Sequence, residues 1–424
     1  MNPTTLTIVV LGGGYTGIMS ATQLVRRTRR AGARVILVNP SERFTERMRL
    51  HQTAAGQTLA DHRIPDLLQR SGVEFVRGWA TAIKPARRQV HLTGPDGREQ
   101  VLGYDYLVYA LGSRTDTSVP GVDDHAYTLD GVDRSAGHLA DRLAELSRRG
   151  SGTVAVVGAG LAGVESAAEI AEAHPKLQVV LIGDAEPGAR MNRKARAYLH
   201  RTLDRLGVRV RSGAQVTKVL AGGVELAGGE TIAADAVLWT AGVVAPPLAR
   251  EAGIAVDDRN RIVVDATLAS VSHPSVYAIG DAAAIRQSWG VIHGTCGSGI
   301  PSGVHAAASI GRVLRGKKGR PYRFGYYHQP VSLGRRNAVI QFTRADDSPG
   351  RWFLSGRLAA RYKETVTSSP PMFYRMSRRM TIPPRFLLVR TGGRANRPVD
   401  VGDAVGSASR GRVRPHGLTR SRRG

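Results

Sequence analysis

The 424-residue chain contains a single cysteine, Cys296. That count excludes an intrachain disulfide framework, a paired-cysteine redox centre and a cysteine-rich zinc or iron–sulfur site, and no metal site is expected. Long apolar runs are missing too. No stretch approaches the roughly 18 residues of a membrane-spanning helix. Met1 to Thr5 lead straight into a strand pattern, with neither a basic leader nor a cleavage site, so the expected location is the cytoplasm. Acidic residues are scarce: 34 Asp and Glu stand against 60 Lys and Arg, a net charge of +26. Such an excess suits nucleic acid or an anionic membrane. Much of it is dispersed as single arginines, which favours the blander reading of a basic composition with anionic cofactors. With 42% hydrophobic residues the chain can fill real cores, and its length suggests two or three domains.

Glycine is where the chemistry begins. Leu6-Thr7-Ile8-Val9-Val10-Leu11 is a short apolar strand pattern, followed by Gly12-Gly13-Gly14-Tyr15-Thr16-Gly17. A helical pattern then runs to Arg30, and Arg34 to Val38 reads as the next strand. Strand, G-x-G-x-x-G, helix and strand in that order form a dinucleotide-binding unit. Gly12 permits the tight turn, Gly14 lets backbone approach a diphosphate, and Gly17 lets helix pack on strand. The helix N-terminus then offers free N–H groups to the phosphates. The arrangement repeats: Thr153 to Val157, then Gly158-Ala159-Gly160-Leu161-Ala162-Gly163, a helix to Ala173 and a strand from Gln178 to Ile182. Both units lack the acid that usually ends the second strand and binds a ribose hydroxyl. Asn39 stands there in the first, and its amide can still accept that bond. Gly183 stands there in the second, with Asp184 one residue later; an acid at this place favours NADH by repelling a 2′-phosphate.

Three further segments give these loops a context. Tyr104 to Ser113 contains Ala110-Leu111-Gly112, Asp235 to Val243 contains Trp239-Thr240-Ala241-Gly242, and Val276 to Ala283 contains Gly280-Asp281. With the glycine loops, they resemble the pyridine nucleotide-dependent flavoprotein superfamily over residues 6 to 340. The Trp-Thr-Ala-Gly form, and the run from Thr267-Leu268 to His273-Pro274, look most like type II NADH dehydrogenases. The resemblance implies an α/β fold with two Rossmann-like domains, the second inserted into the first, plus a small C-terminal α+β region. FAD would occupy residues 1–115 and 262–318, with Gly12, Gly14, Tyr15, Thr16, Gly17, Asn39, Ala110, Gly112, Gly280 and Asp281 as its contacts. NADH or NADPH would occupy 116–261, with Gly158, Gly160, Leu161, Ala162, Gly163, Glu165, Asp184, Ala241 and Gly242. Asp281, at a strand end, suits the polyol hydroxyls of FAD. Glu165 reaches the nicotinamide and flavin in that superfamily, so the expectation is orientation of the nicotinamide; a dipole-complementing acid in a first helical turn is the simpler reading. Hydride would pass from the nicotinamide to flavin N5, then electrons to a small-molecule acceptor such as a quinone.

Departures from the resemblance bear on the acceptor. Type II NADH dehydrogenases carry an Ala-Gln…Gln signature facing the quinone, where this chain reads Ile300-Pro301-Ser302-Gly303-Val304-His305-Ala306-Ala307. Cys296 falls just before, in a glycine-rich stretch close to the expected flavin; a reactive thiol there competes with the commoner role of a small buried hydrophobe. His305 is read as a candidate donor to a bound carbonyl or, more simply, as a packed histidine. Residues 319–390 are expected to form a small capping sheet that supplies an interface, either a homodimer contact or a peripheral contact with an anionic membrane on its inner face. Met372, Phe373, Tyr374, Met376 and Met380 interleave there with Arg375, Arg378 and Arg379. Pro370-Pro371 and Pro383-Pro384 argue against a long helix. Residues 391–424 read as a disordered basic tail with no nucleic-acid recognition motif. Two alternatives stay open: another small-molecule acceptor in specialised metabolism, and a redox-responsive binding protein that acts through the tail.

Overall fold

The computed structural model describes residues 6–130 and 135–383; the expectation of a disordered tail lies outside the described residues. Thr7–Leu11 carries the apolar run, and from Ile8 to Leu11 it is buried on both faces, as a central parallel strand must be. It pairs with Arg34–Asn39 on one side and Tyr106–Tyr109 on the other. Glu74–Arg77 and Val276–Ala278 complete a five-stranded parallel sheet at its two edges. The second glycine unit repeats this plan. Thr153–Val157 lies between Gln178–Gly183 and Ala236–Trp239, with Arg209–Ser212 and Tyr127–Thr128 outside them, all parallel.

In both sheets the chain order reverses beside the strand that precedes the glycine loop. In an open α/β sheet that reversal leaves a crevice beyond the strand C-termini, where ligands bind. Gly12 and Ala110 leave neighbouring strands at the first crevice, and Gly158 and Thr240 at the second. Each unit also carries a three-stranded antiparallel sheet: Trp79–Lys84, Gln89–Thr93 and Glu99–Gly103 in one, Val216–Leu220, Gly223–Leu226 and Thr231–Ala233 in the other. Leu248, Ala249 and Ile254 pack into the core of the first unit.

The helix Cys296–Val313 lies against the first loop helix, Tyr15–Thr28. Glycines make the closeness possible. A methyl group on Gly303 would sit 2.7 Å from the Thr16 carbonyl oxygen, and one on Gly299 2.7 Å from the Thr16 methyl.

The C-terminal region ties the two cores together. Strands His328–Ser332, Ala338–Thr343 and Pro349–Ser355 form an antiparallel sheet, followed by the helix Gly356–Ser368. Val331, Leu333 and Val339 enter the second core, while Tyr322, Phe324, Tyr326 and Tyr374 enter the first. Pro370 and Pro371, read as arguing against a long helix, stand between the helix Gly356–Ser368 and the short helix Pro370–Ser377, whose first turn they form, where a proline ring costs no hydrogen bond. That helix docks on the first loop helix through Ser377 Oγ and Thr22 Oγ1, 2.7 Å apart.

Candidate active site

At the first crevice two glycines are dictated by packing. Gly12 has φ +104°, and a Cβ there would lie 2.4 Å from the Ala110 carbonyl oxygen; on Gly17 it would lie 1.8 Å from the Gly12 carbonyl oxygen. At Gly14 nothing lies within 4 Å, so this glycine faces the open crevice rather than the fold. The helix begins there with no side-chain cap and no acid in its first turn, leaving its N–H groups for an anion. Asn39 braces this loop: its Oδ1 accepts from Gly13 N–H at 2.8 Å and its Nδ2 donates to the Ser41 carbonyl at 2.7 Å. Asp281 approaches from the far strand and accepts a hydrogen bond from Ser113 Oγ at 2.9 Å. Gly280 holds φ +63° with its N–H on Ser302 Oγ, 3.0 Å away, and a Cβ there would strike Thr16. Gly112, with φ +69°, also has open space around it. The residues present therefore fit a dinucleotide: a bare diphosphate cradle, a helix N-terminus and a carboxylate for hydroxyl groups.

The second crevice is built alike. Gly158 has φ +110° and Gly163 packs against its carbonyl, while Gly160 has nothing within 4 Å. Thr240 Oγ1 donates to the Val157 carbonyl at 2.8 Å, locking the loop to the neighbouring strand. A Cβ on Gly183 would lie 2.5 Å from the Ala159 Cβ, so an acid cannot occupy the usual strand-end position. Asp184, one residue on, is exposed and lines the same opening. Ala241 packs in the core beneath the loop, and Gly242, with φ +75°, packs on Asp116, away from that opening.

Both units face one cavity of about 630 Å³. Gly160, Leu161, Ala162, Glu165 and Asp184 line it from the second unit, Met48, His51, Thr295 and Gly297 from the first, and Phe324, Tyr326, Tyr327 and Lys363 from the C-terminal region. Gly12, Gly14, Asn39 and Asp281 are not among its lining residues.

Glu165 is buried at the heart of a polar cluster that spacing did not reveal. Its Oε1 accepts from Ser332 N–H at 2.9 Å and contacts Lys363 Nζ; its Oε2 lies 3.9 Å from His51 Nδ1. Lys363 Nζ also donates to the Pro330 carbonyl at 3.3 Å. Burial pushes the Lys363 ammonium down to about 7, with the Glu364 carboxylate opposing the fall. Burial, and then the cations Lys363, Arg335 and Arg49, hold His51 well below its usual value. The Glu165 carboxylate thus joins the second loop helix to the C-terminal sheet as well as facing the cavity.

Near the missing glutamines the structure separates the candidates. His305 is packed: its Nε2 meets the Arg320 carbonyl at 2.9 Å, its ring lies edge-on to Tyr322, and burial lowers it to about 4. Cys296 opens its helix, and its side chain lies outside the described residues. A polar contact absent from the sequence reading sits at the cavity wall instead. His293 stacks on Tyr326 with ring centroids 4.4 Å apart, and its Nε2 is 3.2 Å from the buried Asp347 carboxylate. Neither His293–Asp347 nor His51–Lys363 follows a local spacing, because each pair joins segments far apart in the chain.

Comparison with known proteins matches this geometry. Residues 6–311 match the model of the pyridine nucleotide-disulphide oxidoreductase family. A NADH dehydrogenase-like protein of Mycobacterium tuberculosis is 32% identical over 357 residues, covering 78% of this chain and 86% of the relative. The demethylphylloquinone reductase NdbB of Synechocystis is 27% identical, covering 84% of this chain and 91% of its own length. Among solved structures, NDH2 from Plasmodium falciparum in complex with NADH shares the fold, with a TM-score of 0.72 at 15% identity, over 88% of this chain and 97% of that one. The chain belongs to the pyridine nucleotide-disulphide oxidoreductase family, as a member of its type II NADH dehydrogenase-like group.

Proposed function

We propose that the protein is an FAD-dependent NADH dehydrogenase that passes electrons to a quinone. The observation that carries this reading is the pair of glycine cradles at the reversal points of two parallel sheets, with one shared cavity between the units. When bound, FAD supplies the redox chemistry, taking a hydride equivalent and releasing electrons. The chain's own residues bind, orient and seal. Gly12, Gly14 and Gly17, with Tyr15 and Thr16 at the helix N-terminus, hold the FAD diphosphate, and Asp281 accepts from its hydroxyls. Asn39 shapes that cradle, and Ala110 and Gly112 flank it. Gly158, Gly160 and Gly163, with Leu161 and Ala162, hold the NADH diphosphate. Asp184 selects NADH over NADPH, since its exposed carboxylate suits a ribose hydroxyl and repels a 2′-phosphate. Glu165 fixes the nicotinamide end, and Lys363 beside it holds a proton that titrates near neutrality.

The acceptor half rests on chemistry and kinship. Phe324, Tyr326, Tyr327 and Val331 give the cavity apolar walls that suit a quinone ring. The Synechocystis relative is by its name a quinone reductase. The absent glutamine pair favours a second reading, in which another small molecule takes the electrons. The chain's single cysteine excludes an intrachain redox disulfide in either reading. Among the described residues no helix is long and apolar enough to cross a membrane. A peripheral contact is the alternative, through the exposed Met372, Met376 and Met380 beside Arg375 and Arg379.

Steady-state turnover tests the acceptor. With NADH and a soluble menaquinone analogue, quinol should form in step with NADH consumed. If the analogue is inert while a chemically different acceptor supports turnover, the quinone assignment fails.

A further inference from the structure

A second cavity, of about 460 Å³, lies where the turn around Gly334 meets the helix Gly356–Ser368. Lys363 and Thr367 stand in the walls of both this cavity and the larger one. Its lining is strongly one-signed: Arg335, Arg336, Arg357, Arg361 and Lys363 against the single acid Glu364. Glu364 is already engaged, with Arg49 at 2.7 Å and Arg335 at 3.9 Å. Arg335 also faces Glu169 at 3.6 Å. Among the described residues, no ion pair or side-chain hydrogen bond engages Arg336, Arg357 or Arg361. All three are exposed where they line the cavity, so water screens their repulsion, and an anion among them would gain charge-assisted hydrogen bonds from more than one guanidinium.

The cations stand on fixed elements. Arg357 and Arg361 share one helix face at i, i+4 spacing. The turn carrying Arg336 is pinned: Gly334 adopts φ +89° tight against the Glu172 carboxylate, which accepts from Arg335 N–H at 2.6 Å. Asn337, the next residue, accepts from Tyr198 OH at 2.8 Å. A planar guanidinium fork matches two oxygens of a phosphate group, and several forks on rigid supports favour a multiply charged anion over chloride.

We propose that this cavity is a binding site for a phosphate-bearing ligand, held by Arg336, Arg357 and Arg361. The site requires neither FAD nor NADH, so it stands or falls independently of the proposed dehydrogenase activity. The phosphate has two sources, a soluble phosphorylated molecule or a lipid headgroup.

The test uses the full-length protein as purified, at fixed ionic strength. Inorganic pyrophosphate is titrated by calorimetry, and retention is measured on phosphatidylcholine vesicles with and without phosphatidic acid. Two variants are compared: R336Q/R357Q/R361Q, and a control, R201Q/R209Q/K218Q, which removes the same charge from exposed positions elsewhere. Saturable binding weakened at least about tenfold in the cavity variant and unchanged in the control is the expected result. Loss of pyrophosphate binding assigns a soluble ligand, loss of vesicle retention assigns a headgroup, and either supports the site. No saturable binding to either probe, binding undiminished in the cavity variant, or an equal loss in the control overturns it.

Discussion

Asp184 and Gly183 show how one steric contact bears on the proposed choice between NADH and NADPH. The acid expected at the end of the second strand has no room beside Ala159, so the carboxylate stands one position later, exposed at the cavity rim. Asp184→Ala should therefore lower the NADH over NADPH preference in kcat/KM by about tenfold, the worth of one charged hydrogen bond. An unchanged ratio would place the discrimination elsewhere. Buried histidines make a second residue-scale prediction. Burial lowers His305 and His328 to about 4, and His51 lies well below its usual value. In the unfolded chain each titrates near 6.5, so between about 4 and 6.5 the unfolded state binds more protons than the folded one. Unfolding free energy then falls as pH drops through that window. Urea midpoints at pH 7.5 and pH 5 should differ, with the lower at pH 5, and His305→Gln should reduce the difference. Equal midpoints would mean that these imidazoles are protonated in the fold.

The elements that hold the two cradles are those most legible in the sequence. A strand, a glycine loop and a helix are contiguous, so the geometry of Gly12 to Gly17 and Gly158 to Gly163 is written in local spacing. The role of Gly303 was not legible. Its segment, Ile300 to Ala307, was read only for the glutamines it lacks, and in the structure Gly299 and Gly303 let the helix Cys296–Val313 press on Tyr15–Thr28. Lys363 was hidden for a related reason: its partner Glu165 lies in another domain, and no periodicity links a C-terminal helix to a glycine-loop helix. Pro370 and Pro371 were legible in part: they end one helix at Ser368, as proline in a helix interior must, and they open the next, where proline suits the first turn. Gly303→Val should force the helix pair apart, since even a methyl group would meet the Thr16 carbonyl at 2.7 Å. The first cradle would widen. The measurable outcome is a drop in bound flavin per chain and a melting temperature lower by several degrees, as expected for a few kcal/mol of overpacking. Full flavin content with unchanged melting would show that the contact relaxes freely.

At the scale of the molecule, the C-terminal region joins the two units, and its outward side carries the exposed methionines. The net charge of +26 does not by itself place the chain on a membrane; the proposed peripheral contact rests instead on exposed methionines beside cations. Met372→Ser/Met376→Ser/Met380→Ser should reduce retention on anionic vesicles several-fold with turnover on a soluble acceptor preserved. Undiminished retention would mean that another surface makes the contact. Fold and donor half were thus readable from the sequence, because cradles are local motifs. The cavity walls were not, because His293, Asp347, Tyr326 and Lys363 converge there only through tertiary packing. Anaerobic mixing with NADH reports whether the two cradles hold a flavin and a nicotinamide for direct exchange. The purified or FAD-reconstituted protein should show a flavin band at about 450 nm that NADH bleaches. A protein that neither carries nor takes up FAD, or whose flavin NADH leaves oxidised, would contradict it.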